Sequence, residues 1–375
     1  MRIAINTRFL LPGKLEGLGW HNYELCKRLV AQHPEDTFIF LFDRPYAEEF
    51  VFGPNVIPVV VAPPARHPLL WYWWFERSVP RFLRKYKADV FLSPDSYCSL
   101  RTNVPTAMVT HDIAHVHYPE QIPALVRRYY NYYVPRFLQR ADHVLTVSQF
   151  VKEDIERHYG LASAKITVAH NGLRGDFNPL SAKEKAEVRN EFAAGENYFF
   201  YLGAVHPRKN VDRLIRAFDQ FKTRTGAPVK LLIGGRMAWQ TGAIKAAYEV
   251  SDHQSDITFL GYVPDADVKR LLGGALALTY VSLFEGFGLP ILEAMHAEVP
   301  VITSNCSSIP EVAGEAALLV DPEAIDDIAL AMERIYQEPE LGLQLIEAGR
   351  TQRTLFDWDE TAKKTYTVLQ RLCEA

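Results

Sequence analysis

Short apolar runs alternate with stretches of helical periodicity along the whole chain, the pattern left by parallel βαβ units. In the first half, runs at 2–6, 37–42, 56–61, 90–93, 106–110 and 143–147 predict strands. Residues 21–32, with Leu25, Leu29 and Val30 on one face, and residues 81–86 predict helices between them. The pattern begins again near residue 198. Runs at 198–202, 229–233, 257–260, 276–280, 299–303 and 317–320 predict a second series of strands. The segment 171–179, rich in Asn, Gly and Pro, separates the two series and is the expected hinge. The expected fold is α/β, with two doubly wound sheets. Ligands in such sheets bind beyond the carboxyl ends of the strands, and a cleft between domains is a usual site.

A chain of 375 residues suits two domains, and a net charge of −4 gives no general attraction for nucleic acid. Cys26, Cys98, Cys306 and Cys373 are scattered, with no C-x-x-C pair, so a disulfide framework is not expected. The chain enters an apolar strand at once, without a signal-peptide pattern, and has no uncharged apolar run long enough to span a bilayer. A cytoplasmic location is the expectation.

Candidate chemistry gathers in the loops after the strands. Residues 285–293, Glu-Gly-Phe-Gly-Leu-Pro-Ile-Leu-Glu, run from a loop into a helix opened by Pro290. Amides around Phe287, Gly288 and Leu289 would point outward at a helix N-terminus, which favours phosphate. Gly286 and Gly288 allow close backbone approach, and Glu285 can accept bonds from sugar hydroxyls. A plain acidic helix start is the bland alternative. After the strand at 198–202 come Gly203 and Pro207-Arg-Lys-Asn210. Arg208 and Lys209 could neutralise a diphosphate or simply sit in solvent, and Asn210 can cap the next helix.

Near the amino end, Gly17 and Gly19 lead into a helix from a loop at 12–20 that is not G-x-G-x-x-G, which argues against a dehydrogenase. His111 and Asp112 follow the strand at 106–110, where the pair can hydrogen-bond a sugar or orient a leaving group. His115 and His117 suggest a metal, but no cysteine cluster or carboxylate-rich segment completes a site, so none is expected. Ser308 and Glu311 have capping-box spacing, and Ser148 reads as an N-cap. The aromatic run 71–75 beside Arg77, Arg81, Arg84 and Lys85 suits core packing first and a bilayer interface second.

Taken together, the chain resembles the retaining glycosyltransferases of family 4. The likeness lies in Gly17-Leu-Gly19, Thr110-His-Asp112, Thr146-Val-Ser148, His170-Asn-Gly172, Tyr201-Leu-Gly203 with Pro207–Asn210, residues 285–293, and residues 308–314. It implies the GT-B fold, two Rossmann-like domains facing an interdomain cleft. The domains would be residues 1–172 with 358–375 for the acceptor, and 178–357 for the nucleotide-sugar donor. It also implies catalytic roles for His111, Arg208, Lys209 and Glu285. The donor-binding set would be Gly17, Gly19, Asp112, Gly203, Gly286, Phe287, Gly288, Leu289 and Glu293, with Glu293 on the ribose. No metal or other cofactor is implied. Two positions depart from the family pattern: Ala204 where arginine is common, and Glu298 where glycine is common, a place for left-handed backbone.

Within the family the motifs look most like those of bacterial mannosyltransferases of O-antigen and exopolysaccharide assembly. The implied reaction is transfer of a hexose, with retention, from GDP-mannose to a saccharide acceptor, in lipopolysaccharide synthesis. A polyprenyl-diphosphate-linked acceptor, with peripheral contact at the cytoplasmic face of the inner membrane, goes with that reading. UDP-glucose or another donor, a GT-B epimerase, and a noncatalytic sugar-binding module are the alternatives.

Overall fold

In β1 (Arg2–Asn6) the run Ile3 to Asn6 is buried without alternation, as parallel strands covered on both faces require. The computed structural model describes residues 1–13, 15, 17–237 and 241–374; Lys14 and Glu16 of the amino-terminal loop lie outside the described residues. β2 (Thr37–Phe42), β3 (Val56–Val60), β4 (Val90–Ser93), β5 (Thr106–Thr110), β6 (His143–Thr146) and β7 (Ile166–Val168) join β1 in a seven-stranded parallel sheet of order β3-β2-β1-β4-β5-β6-β7. β7, three residues long, is the strand that hydrophobic patterning misses.

The second sheet is built from β8 (Asn197–Leu202), β9 (Val229–Gly234), β10 (Ile257–Gly261), β11 (Ala277–Tyr280), β12 (Val301–Ser304) and β13 (Leu318–Val320). Its six strands are parallel, in the order β10-β9-β8-β11-β12-β13. Each sheet thus grows outward in both directions from a central pair, β1/β4 in one and β8/β11 in the other. Loops leaving the carboxyl ends of such a pair part to opposite faces and leave a crevice.

Contacts divide the chain into one unit of Met1–Arg174 with Asp357–Ala375 and another of Gly175–Phe356. The helix Trp358–Glu374 therefore belongs with the first sheet, where Trp358 packs so closely on Gly172 that a Cβ there would lie 2.6 Å from its backbone nitrogen.

Several local expectations change. The helix expected at 21–32 runs from Gly17 to Gln32, because Gly19 is tucked against the Phe9 carbonyl, 2.9 Å from where a Cβ would stand. Asn210 does not cap: it sits in left-handed backbone at φ 62°, and its amide donates instead to Val281 O (3.0 Å) and Pro322 O (2.6 Å). Ser308 forms no capping bond either, because its hydroxyl is directed into the loop after β11. Ser148 does cap its helix, accepting from Val151 N at 3.2 Å. Glu298 has φ 53°, left-handed as its position implies, and Arg350 holds its carboxylate at 2.7 and 2.8 Å. In the aromatic run Trp74 and Phe75 are fully buried, whereas Trp73 is 54% exposed.

Candidate active site

The chemistry of the second unit stands at the β8/β11 crevice. β8 ends at Leu202 and its loop carries Arg208 and Lys209 on a single tight turn, Pro207–Lys209. β11 ends at Tyr280 and runs into the buried loop 284–288. A backbone bond from Leu283 N to Arg208 O (2.9 Å) fastens the two loops together.

Glu285 is the hub. Lys209 Nζ donates to its Oε1 at 2.5 Å, the Tyr280 hydroxyl donates to the same oxygen at 2.7 Å, and Lys209 Nζ also reaches the Tyr280 oxygen at 2.9 Å. Arg208 lies 3.7 Å from Oε2 and donates to Phe284 O at 2.6 Å. Burial disfavours the charge, yet Lys209 and Arg208 hold the Glu285 carboxyl down at about 2. Burial, with the Glu285 charge beside it, pushes the Tyr280 phenol well above its usual range. Glu285 is thus a fixed anion and Tyr280 a fixed O–H, and neither is poised as a general base near neutrality.

The backbone of this loop is held from β12. Ser307 Oγ accepts from Glu285 N (3.1 Å), and the Ser308 hydroxyl reaches both Glu285 O and Phe287 O at 2.9 Å. Gly288 takes φ 116°, open to glycine, and leads into the helix Leu289–His296. Amides at Phe287–Leu289 stand at that helix start, where its dipole favours an anion. Glu293, one turn in, is 1% exposed. Gly203 follows β8 directly and packs against Gly235 after β9, with Tyr201 stacked 6.4 Å from Tyr280 beneath the loop. Ala204 is exposed.

In the first unit, the corresponding crevice at β1/β4 is bridged by a buried ion pair, Arg8 Nε to Asp95 Oδ2 at 2.5 Å, with Asn6 donating to the same oxygen at 2.7 Å. His111, after β5, donates Nε2–H to Pro94 O at 2.9 Å in the loop of that pair. Asp112 accepts from Ala114 N (3.0 Å) and turns the chain into the short helix Ala114–His117. The His111 ring meets the edge of His21 at 4.6 Å, which brings it beside the helix that Gly17 and Gly19 open. Burial lowers the His111 pKa, so the imidazole is neutral.

The predicted residues therefore assemble in two groups: Arg208, Lys209, Glu285, Phe287, Gly288 and Gly203 in one unit, and His111, Asp112, Gly17 and Gly19 in the other. Tyr280, Ser307 and the Arg8–Asp95 pair were not singled out from sequence, and Ser308 was read only as a helix cap. Tyr280 could have been found as a polar residue closing a strand immediately before the glycine-rich loop.

Known proteins carry the same organisation. A model described as Glycosyltransferase Family 4 matches residues 15–176, and one described as Glycosyl transferases group 1 matches residues 182–352. The O-antigen chain mannosyltransferase B of Escherichia coli is 30% identical over 96% of this chain and 97% of its own. The chain belongs to glycosyltransferase family 4. A second relative of this family 4 member, the O-antigen chain mannosyltransferase RfbU of Salmonella typhimurium, is 29% identical over 86% of this chain and 89% of its own. Among solved structures, WaaG, a glycosyltransferase involved in lipopolysaccharide biosynthesis, superposes with a TM-score of 0.75 at 16% identity, covering 98% of this chain and 99% of WaaG. The two parallel sheets are those of the GT-B glycosyltransferases, and the protein is a glycosyltransferase.

Proposed function

We propose that this glycosyltransferase moves mannose from GDP-mannose to a saccharide acceptor with retention of configuration, in the assembly of a cell-surface polysaccharide. The observation that carries the reading is the Lys209–Glu285–Tyr280 cluster, together with a mannosyltransferase relative that covers 96% of this chain. Glu285, held ionised, offers acceptors to sugar hydroxyls. Arg208 and Lys209 neutralise the diphosphate and stabilise charge on it as it leaves. The helix start at Leu289 takes a phosphate, Glu293 takes the ribose, and Gly203 and Gly286 let the backbone approach the donor. From the first unit, neutral His111 serves the sugar as a hydrogen-bonding group, with Asp112, Gly17 and Gly19 near the donor. With a cationic pair on the diphosphate, the chemistry needs no metal.

The acceptor in this reading is lipid-linked, at the cytoplasmic face of the inner membrane. Leu69, Leu70 and Trp73 are exposed on the helical stretch 68–85, and Arg77, Arg81 and Arg84 are exposed along the same stretch. Exposed apolar anchors and cations carried on one helical stretch suit an anionic bilayer surface. No helix among the described residues is long and apolar enough to cross a membrane.

Calorimetric titration with GDP, GDP-mannose, UDP and UDP-glucose tests the donor, and product detection from a panel of lipid-linked saccharides tests the acceptor. Tight binding of UDP without GDP would replace the mannose reading with a UDP-sugar donor. Nucleotide release that needs no acceptor would indicate an epimerase. Flotation with anionic vesicles, lost in Trp73→Ala with Arg77→Ala, tests the membrane surface.

A further inference from the structure

We infer that His117, Asp154 and His158 form a binding site for a zinc-class divalent ion in the first unit. Sequence spacing gives His117 no partners, because Asp154 and His158 come from a later helix. Folding supplies them. His117 closes the short helix Ala114–His117, while Asp154 and His158 lie one turn apart on the helix Gln149–Tyr159. Asp154 Oδ2 stands 2.8 Å from His117 Nε2, and its Oδ1 stands 3.0 Å from His158 Nδ1. All the ligand atoms fall within 4.8 Å of one another, and the two imidazole rings are 5.0 Å apart.

Zinc bonds of about 2.0–2.1 Å place neighbouring tetrahedral ligand atoms about 3.3 Å apart. The two carboxylate-to-imidazole distances are a few tenths shorter, so a small opening admits an ion. His158 Nδ1 also donates to the Asp154 carbonyl oxygen at 3.0 Å, so ion binding requires that bond to be given up and the His158 proton to move to Nε2, while His117 carries its own on Nδ1. The Asp154 side chain is 2% exposed, whereas those of His117 and His158 are 28% and 30% exposed. Three ligands thus form a cup closed on the protein side and open to water, which leaves a coordination position for solvent. Two imidazoles and one carboxylate select zinc, nickel or copper over magnesium and calcium, which prefer all-oxygen shells. His115 and Tyr159 (3.0 Å) brace the same two helices next to the cup.

A second cluster, His33, Glu35 and Asp36, makes a useful contrast. Its Asp36 is already engaged by the terminal amine of Met1 and by the Tyr366 hydroxyl, so its carboxylate is committed to other partners. An ion at the first cluster would tie the segment that carries His111 and Asp112 to the helix Gln149–Tyr159. That is a stabilising role separate from the donor chemistry.

The test uses tag-free full-length protein, dialysed against a chelator and titrated with zinc chloride by calorimetry, with magnesium chloride as control. Because Asp154 is buried, the surface histidines are the ones to replace. One zinc ion per chain is expected, with affinity weakened at least about tenfold in His117→Ala and in His158→Ala. The urea midpoint should rise with zinc in the parent chain and stay fixed in His158→Ala. No zinc binding by the parent, or unchanged affinity in either variant, overturns the site.

Discussion

Lys209 and Glu285, far apart in sequence, meet as a 2.5 Å ion pair that a third group, the Tyr280 hydroxyl, closes into a triangle. Each is mostly shielded from water, the side chains being 15% and 9% exposed. Lys209→Ala strips Glu285 of its nearest cation and leaves Arg208, at 3.7 Å. Turnover is expected to fall at least about a hundredfold, the scale set by losing one electrostatic contact to a leaving group. Glu285→Ala should lose as much. Both are measured as kcat with saturating donor, and a retained rate would return the cluster to a purely structural role.

Stability should follow the same triangle. Breaking a buried pair by removing one partner costs about 3–5 kcal/mol, so Lys209→Ala should lower the urea midpoint clearly. Tyr280→Phe keeps the ring and removes only the hydroxyl that donates to the Glu285 anion, with an expected loss of about 1.5–3 kcal/mol. If Tyr280→Phe costs as much as Lys209→Ala, the hydroxyl and not the ammonium carries the carboxylate.

Gly235 allows a sharper test. Its φ is +146°, and a Cβ would stand 1.7 Å from the Gly203 carbonyl oxygen. Gly235→Ala cannot be accommodated without moving the loop that leads to Arg208 and Lys209, so soluble yield and nucleotide binding should both collapse. Gly226, left-handed at φ +61° but facing open space, is the control. Gly226→Ala should cost only about 1–2 kcal/mol and leave binding unchanged.

Acidification should weaken the first unit through His21. Burial, with His111 nearby, lowers the His21 pKa to about 3, against an ordinary value of 6.5. In the unfolded chain His21 takes up its proton as the pH falls below 6.5, while in the folded chain it does not. Its contribution is therefore complete above that value and is lost progressively toward pH 3, at up to about 1.4 kcal/mol per pH unit. Glu285, held near 2, keeps its carboxylate stabilisation until the pH drops below the usual carboxylate range and loses it toward 2. Melting curves from pH 7.5 to 5 should fall in midpoint, and His21→Gln should flatten that slope.

Hydrophobic patterning located the long strands because parallel strands buried on both faces leave unbroken apolar runs, as in β2 and β8. It passed over β7, three residues long, where no period can be read. It placed Arg208, Lys209 and Glu285 in loops after strands, and the strand order explains their meeting, since β8 and β11 are neighbours. What it missed depends on tertiary placement. Ser308 has the spacing of a helix cap, yet its hydroxyl serves two carbonyls more than twenty residues upstream. Asn210 was misread for the same reason, its amide reaching Val281 and Pro322. Short polar side chains bond whatever carbonyl is nearest, and only the fold decides which that is.

The return of the helix Trp358–Glu374 to the first sheet has a consequence for how the molecule is made. The contiguous second unit is inserted whole into the first, whose last element is synthesised after all of the other. Residues 175–356 are therefore complete before the helix Trp358–Glu374 of the first unit is made. Until then Gly172 lacks Trp358, and the buried face of that helix, with Ala362, Val368 and Leu369, has yet to pack on the first unit. A translation stop just before Asp357 would leave one finished unit joined to one without the helix Trp358–Glu374.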